Sequence, residues 1–220
     1  MGERHFALLG EVEEDPTVID AAELQANLET ALARINEDHA PYIHAPLVTS
    51  AGFPEFIGVL RGHTPIYLIA RTLAEACYPL DVHLAMARGE ITLGLETRDA
   101  EAMEGPAYDA AGELLYRARK EERLLLVETG NPPIDELLNA LMLLLHRTFR
   151  HWTERQWEVV RLYRELGRQS EVAARLSVSQ QSVSSTLAGA GWKVLAEVEQ
   201  TLDRVLAGSD HEPVASPADR

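Results

Sequence analysis

The chain has 220 residues, 46% of them hydrophobic, and it carries a formal net charge of −15 and a single cysteine, Cys77. This length can bury a substantial core, and two small domains fit it better than one large domain. A single cysteine excludes a disulfide framework, and the sequence has neither an apolar run of membrane length nor a secretory signal, so we expect a cytoplasmic protein with no membrane partner.

Residues 1–130 are predicted to form an α+β domain. Strands are expected at residues 6–12, 47–50, 56–60, 82–88 and 124–127, with the fourth continuing over residues 91–95 past a break or bulge at Gly89. Helices are expected from the N-cap Asp20 to about Asp38, from Pro65 to Cys77, and from Pro106 to Lys120. The element order is therefore β-α-β-β-α-β-α-β, with a Gly-Phe-Pro turn between the second and third strands.

Two side chains in this domain have the chemistry of site residues, and both have a simpler explanation. Cys77 lies on the inward face of its helix, where a cysteine behaves as a small buried hydrophobe. His83 has no other His or Cys at metal-binding spacing, so we expect a surface or core residue rather than a metal ligand.

Residues 131–150 are predicted to connect two domains through an apolar helix at residues 134–149. This helix is apolar on more than one face, so it must pack between the domains or against another subunit. It is too short to span a membrane, and Asn139 and His146 make it too polar.

Residues 151–207 have the spacing of a helix-turn-helix domain. Thr153 begins a capping box, and apolar residues then recur at helical spacing until Gly167 ends the first helix. In the next helix the small side chain of Ala173 lets the following helix cross close to its backbone. Ser177 stands where the turn usually has a glycine, at a cost of about 1 kcal/mol.

Ser179 is the predicted N-cap of the recognition helix, whose outward side chains can hydrogen-bond base edges. The candidate DNA-binding residues are Arg168, Gln169, Arg175, Ser179, Gln180, Gln181, Ser184, Ser185 and Lys193. We expect Gln180, Gln181 and Ser184 to contact bases, and the three cationic residues to contact phosphates. A bundle of three helices without DNA-binding activity can show the same spacing, and this alternative stays open.

Charge is distributed unevenly between the two predicted domains. Residues 1–150 hold 12 Lys and Arg against 25 Asp and Glu, whereas residues 151–207 hold 7 of each kind. An acidic body repels DNA and suppresses non-specific binding, which leaves the neutral C-terminal segment to approach a duplex. Acidity that serves solubility alone explains the acidic body equally well.

Residues 192–206 are predicted to form the last helix. Its apolar seam consists of Leu195, Val198, Leu202 and Val205. Such a seam suits pairing with a second copy, so we expect a homodimer, formed through this helix, through residues 134–149 or through the N-terminal domain. Packing against its own helix-turn-helix explains the seam about as well. The tail, residues 208–220, has nothing to bury and is expected to be disordered.

The predicted order of strands and helices resembles the ferredoxin-like, palm-like domain that nucleotide cyclases and GGDEF proteins share. A closer resemblance, to the SatD family, is carried by LLGEVEE at 8–14, FPEFIGVL at 53–60, ARGEITLG at 87–94 and EGPAYDAAGELL at 104–115. Residues 152–185 are similar to the helix-turn-helix that ends SatD-type proteins. The resemblance spans most of residues 6–193, and it implies a cyclase-like domain followed by a DNA-binding one.

In cyclases, acids at the end of the first strand and in the hairpin hold two divalent metals for a nucleotide triphosphate. By position these acids correspond to Glu11 and to Pro54, and proline offers no oxygen ligand. This departure predicts no metal, no cofactor and no catalysis, and it leaves a metal-dependent cyclase-like enzyme with a two-metal site of Glu11, Glu13 and Glu55 as the less favoured alternative. The same end of the sheet is a candidate pocket for a small-molecule or nucleotide effector, formed by Glu11, Glu13, Phe53 and Glu55.

These observations favour one function and leave a second open. The first is a transcriptional regulator that binds double-stranded DNA through its helix-turn-helix, with the N-terminal domain as a sensor or dimerisation module. The second is a protein-interaction or nucleotide-binding module whose helix-turn-helix only packs against a partner. No glycine-rich phosphate loop or catalytic triad supports an enzyme.

Overall fold

The computed structural model describes residues 4–15, 17–50, 54–62 and 64–208, without the side chains of residues 203–208. Within these residues the fold is mixed α+β, with a five-stranded sheet and eight α-helices. The chain divides between Leu144 and Leu145 into two compact units, and unit 2 covers Leu145–Arg204. The predicted turn residues 51–53 and tail residues 209–220 lie outside the described residues.

Unit 1 contains the sheet, whose strands follow the predicted β-α-β-β-α-β-α-β order. The strands are β1 His5–Val12, β2 Ile43–Thr49, β3 Glu55–Leu60, β4 Val82–Gly89 and β5 Leu125–Glu128. The helices are α1 Ala21–Asp38, α2 Ile66–Cys77, α3 Pro106–Lys120 and α4 Pro132–Arg150, the last of which continues into unit 2. Across the sheet the order is β2-β3-β1-β4-β5, and every neighbouring pair is antiparallel except β4 and β5.

The sheet is buried on both faces. On one face α3 packs through alanines, among them Ala107 and Ala111, against small strand residues such as Ala7 and Ala85. Helices α1 and α2 contact each other and the strands, and the alternate strand side chains, such as Leu8, are buried as well. A sheet covered on both faces explains why its strands are nearly continuous apolar runs instead of alternating ones.

The strand predicted over residues 91–95 is wrong. In the described chain β4 ends at Gly89, and Leu93 makes only an isolated bridge with Glu104. Gly94 then has φ +73°, and a Cβ on it would lie 2.2 Å from the Ala102 carbonyl oxygen. The chain therefore turns back on itself at a glycine, and two short 3-10 turns follow, at Leu95–Thr97 and Ala100–Ala102.

The second strand begins earlier than predicted, at Ile43 instead of Leu47. Its pairing with β3 shifts register between Ile43 and Ala45 and again between Ala45 and Val48. Ile43, Ala45 and Leu47 are buried in alternation, but His44 and Pro46 stand between them, so the sequence shows a β-rich run only from Leu47 onward.

Each outer strand of the sheet is held by a side-chain amide. In β2 the Leu47 N–H donates to Asn36 Oδ1 and the Leu47 carbonyl accepts from Asn36 Nδ2, both at 2.8 Å. In β5 the Val127 N–H donates to Asn139 Oδ1 at 2.8 Å, and its carbonyl accepts from Asn139 Nδ2 at 2.9 Å. At one residue of each edge strand, the asparagine side chain thus makes the two backbone hydrogen bonds that a neighbouring strand would make.

Unit 2 contains the end of α4 and four further helices, of which α8 belongs to it as far as Arg204. They are α5 Glu154–Leu166, α6 Gln169–Leu176, α7 Gln180–Gly189 and α8 Trp192–Gly208. Phe149, Trp152 and Trp157 form an aromatic cluster with ring centroids 5.0–5.8 Å apart, and the Trp152 indole donates to the Ala190 carbonyl at 3.1 Å. The start of α5 is thereby fixed near the end of α7.

Among the described residues, no helix combines the length and the apolar character needed to cross a bilayer.

Candidate functional site

The local signals for the α6–α7 segment are confirmed. Ser177 adopts the left-handed conformation (φ 54°, ψ 43°), and the Val178 N–H donates to the Ala173 carbonyl at 3.0 Å, which closes the end of α6. Ser179 is the N-cap of α7, where its side-chain oxygen accepts from the Ser182 N–H at 3.1 Å. Two helices are thus joined by a turn of three residues.

The inward face of this segment is apolar and the outward face is polar. Val172, Ala173, Val183 and Leu187 are buried, and α5, α6 and α7 pack on one another. The core side of α7 is therefore fixed by Val183 and Leu187. Its opposite side is centred on Gln181 and Ser185, because they stand about half a turn away from Val183.

The residues predicted to contact DNA mostly lie at the surface. The exposed ones are Arg168, Arg175, Ser179, Gln180, Gln181, Ser184, Ser185 and Lys193. Gln169 is half-buried at the first turn of α6. The Arg168 guanidinium lies 3.7 Å from the Glu171 carboxylate, so part of its charge is compensated. No charged residue occurs between Arg175 and Lys193.

One flank of α7 borders an open groove of about 520 Å³ that sequence reasoning missed. Its lining residues are Thr153, Arg155, Gln156, Ser179, Gln181, Ser182, Ser185, Thr186 and Gly189. The capping box at Thr153 correctly marks where α5 begins. The sequence carried no signal that this helix end lies beside α7, because only the tertiary packing of the aromatic cluster brings the two together.

An ion pair positions α8 within unit 2. The Arg164 guanidinium pairs with the Glu199 carboxylate and lies 5.3 Å from the centroid of the Trp192 ring, while Tyr163 packs edge-on against that ring. The seam residues Leu195 and Leu202 are buried in the single chain. Packing within the chain therefore accounts for these two residues of the predicted seam.

Unit 1 has a pocket of about 450 Å³ between the sheet and α3, at the end of β1. It is lined by Leu9, Gly10, Glu11, Ser50, Glu55, Phe56, Ile57, Glu101, Gly112, Leu115, Tyr116 and Arg119. Glu11 and Glu55 are directly opposite each other in the β1–β3 register, so their carboxylates share one face of the sheet. The Arg119 guanidinium, which sequence reasoning missed, lies 3.0 Å from the Glu11 carboxylate.

Of the four predicted pocket residues, Glu11 and Glu55 line this wall and Glu13 does not. The Glu13 carboxylate lies 3.0 Å from Nε2 of the buried His83. The other ring nitrogen, His83 Nδ1, donates to the Arg123 carbonyl at 2.8 Å. Glu13 therefore neighbours the pocket instead of lining it. Phe53 lies outside the described residues.

The wall that carries Glu101 is held by Tyr108. The Tyr108 hydroxyl donates to the Ala100 carbonyl at 2.8 Å. Burial, and to a smaller extent the charge of Asp99, raises the pKa of Tyr108 to about 12, so the hydroxyl keeps its proton at neutral pH. Glu101 thus sits on a short turn that is tied to α3.

Pro54 precedes β3 and contributes only its backbone, since its carbonyl accepts from the Val12 N–H at 3.2 Å. Among the described residues, no three His, Cys, Asp or Glu side chains are grouped closely enough to hold a metal ion. Cys77 is fully buried, and burial raises the pKa of its thiol to about 12.

Comparison with known proteins gives one match. The family model described as SatD family (SatD) matches residues 5–206. No curated protein and no solved structure matches the chain.

Proposed function

Because the chain belongs to the SatD family, we propose that it is a cytoplasmic transcriptional regulator that binds double-stranded DNA through α6 and α7. In this proposal the two helices form a helix-turn-helix, and α7 is the recognition helix that enters the major groove. Unit 1 serves as a sensor or dimerisation module of the ferredoxin-like, cyclase-like type.

The outward face of α7 carries the proposal. Gln180, Gln181, Ser184 and Ser185 are exposed, uncharged, and able both to donate and to accept hydrogen bonds. A glutamine amide matches the N6 and N7 edge of adenine, so this face suits sites that contain adenine. Val183 and Leu187 form the buried face of α7, so the four polar side chains lie outside the core.

Cations flank this face without lying on it. Arg175 precedes the charge-free stretch, Lys193 follows it, and Arg168 stands at the N-cap position of α6 without a side-chain capping bond. Such an arrangement is consistent with phosphate contacts by the flanking cations and base contacts by the neutral side chains. With roughly three phosphate contacts per protomer, the affinity should fall with salt by a log–log slope of only about −3 per protomer.

An electrophoretic shift with fragments of the upstream region of the protein's own gene tests this function. Gln180→Ala and Gln181→Ala should each weaken the specific complex by about 1–3 kcal/mol and leave non-specific binding unchanged. Arg175→Ala should weaken binding to all sequences and flatten the salt slope. Gln25→Ala, an exposed glutamine on α1, is the matched control and should have no effect.

Unchanged specific affinity in both glutamine variants would reject α7 as the recognition helix. If no fragment shifts at low salt, the result would favour the second function. That function is a protein-interaction or nucleotide-binding module in which α6 and α7 only pack against a partner.

We further propose that unit 1 performs no triphosphate chemistry. Two Mg²⁺ ions about 4 Å apart need shared carboxylates. The hairpin position corresponds to Pro54, and the Glu11 carboxylate is engaged by Arg119. Incubation with ATP or GTP and Mg²⁺ or Mn²⁺ should release no pyrophosphate, and turnover that disappears in Glu11→Ala would contradict this.

A further inference from the structure

The pocket in unit 1 has a strongly asymmetric charge. Among its described lining residues are three carboxylates, from Glu11, Glu55 and Glu101, and one cationic side chain, Arg119. Arg119 is paired with Glu11, and the described residues offer no ion-pair partner to Glu55 or Glu101. An occupant with phosphates would be repelled by this wall, whereas a cationic group would complete it.

The remainder of the pocket suits an apolar body. Leu9, Ile57 and Leu115 line it together with the ring of Phe56. On α3, a Cβ built on Gly112 would meet no atom within 4 Å, so the helix leaves open space over the pocket. The pocket volume of about 450 Å³ lies within the range of ordinary small-molecule sites.

The chain itself provides an example of the interaction. The Arg119 guanidinium reaches from α3 to the end of β1 and lies against the Glu11 carboxylate at the pocket wall. Tyr116 lies one turn before it on the same helix and is 67% exposed. Tyr116 also lines the pocket, and carboxylates and aromatic rings are both groups that attract an organic cation.

We propose that this pocket binds a small organic cation, an amine or guanidine with an apolar or aromatic body, through Glu55 and Glu101. The ligand's apolar body lies against Leu9, Ile57 and Leu115, in the space that Gly112 leaves open. This inference goes beyond DNA binding and does not depend on it. The ligand it assigns to unit 1 is opposite in charge to a nucleotide.

Calorimetric titration of the full chain with three amine probes, tryptamine, agmatine and spermidine, tests the proposal. Tryptamine, which combines an ammonium group with an aromatic body, should bind, and its neutral analogue tryptophol should bind at least tenfold more weakly. Equal affinity for tryptamine and tryptophol would overturn the proposal. So would the absence of binding by all three amines at millimolar concentration.

Variants locate the binding. Glu55→Gln and Glu101→Gln should each weaken tryptamine binding about tenfold, whereas Glu113→Gln, an exposed carboxylate on α3 outside the pocket, should leave it unchanged. Gly112→Leu should abolish binding, because its side chain fills the open space without meeting another atom at Cβ. A Gly112→Leu protein that is folded by circular dichroism and still binds tryptamine would show that the amine sits elsewhere.

The same titration with GTP separates the proposal from nucleotide recognition. GTP should not bind, and GTP binding that Gly112→Leu abolishes would assign the pocket to a nucleotide instead. Failure of the DNA shift assay has no bearing on these titrations, so the two proposals fail independently.

Discussion

Ser177 illustrates how a single residue can hold a turn at an energetic cost. Its left-handed conformation is unfavourable for a residue with a Cβ, and the side chain is exposed. Ser177→Gly should stabilise unit 2 by about 0.5–1 kcal/mol, because glycine adopts this conformation without strain. Urea unfolding followed by tryptophan fluorescence is the measurement, since Trp152, Trp157 and Trp192 all lie in unit 2.

A second glycine substitution controls for unfolded-state entropy. Ser184→Gly, in the middle of α7, should destabilise unit 2 by about 0.5–1 kcal/mol, because glycine lowers helix propensity. If the two substitutions changed stability in the same direction, strain at Ser177 would not be the explanation.

Residues whose role depends on near neighbours were predictable. The capping box at Thr153, the cap at Ser179 and the turn at Ser177 each involve contacts within a few residues, and each was found from sequence spacing. Arg119 was missed, because its partner Glu11 is more than one hundred residues away and nothing local marks the pair. Glu13 was placed in the pocket for the same reason, since its contact with His83 is set by the sheet register.

At the scale of elements, the asparagine amides explain why a polar residue interrupts an apolar helix. Asn139→Ala should destabilise unit 1 by about 1–3 kcal/mol, because the Val127 N–H and carbonyl lose their hydrogen-bond partner. Both groups are partly buried, so water cannot fully replace the lost hydrogen bonds. Urea unfolding followed by far-ultraviolet circular dichroism gives the stability, and hydrogen exchange at the Val127 amide reports the lost bond directly.

Asn27→Ala provides the matched control for this prediction. Asn27 lies on the exposed face of α1, where alanine is the better helix former, so the variant should be neutral or slightly more stable. Unchanged protection of the Val127 amide in Asn139→Ala would contradict the assigned role of the amide.

Among the elements, those with a complete local pattern were predictable and those shaped by tertiary contacts were not. Helix α1 is amphipathic, and Leu24, Leu28 and Ile35 of its apolar stripe are all buried. Residues 91–95 have the composition of a strand, but the turn at Gly94 removes them from the sheet. Such a turn is set by contact with Ala102, which the spacing of apolar residues does not reveal.

At the scale of the whole molecule, exposed leucines on α4 offer a contact surface for the expected homodimer. Leu137 and Leu144, two turns apart, are 65% and 64% exposed, whereas Leu195 and Leu202 of the predicted α8 seam are buried. Under the proposed function, two such segments with few cations would gain affinity from pairing on two half-sites. We therefore expect the dimer to form through α4.

Sedimentation velocity tests this expectation. The wild-type protein should be dimeric at micromolar concentration, and Leu137→Glu and Leu144→Glu should each make it monomeric, because a charge would be buried at the interface. As a control, the Val18→Glu protein, changed at another exposed apolar residue of unit 1, should remain dimeric. A monomeric wild-type protein, or a dimer that survives both leucine substitutions, would remove α4 as the contact.

The positions of the two asparagine amides also bear on synthesis by the ribosome. Asn36 precedes Leu47 by 11 residues, and Asn139 follows Val127 by 12, so each outer strand is covered by chain made shortly before or after it. Short loops close at a small entropic cost, and a nascent sheet with open edges is prone to pair with other chains. Both edges of the sheet can therefore be closed without any residue of unit 2.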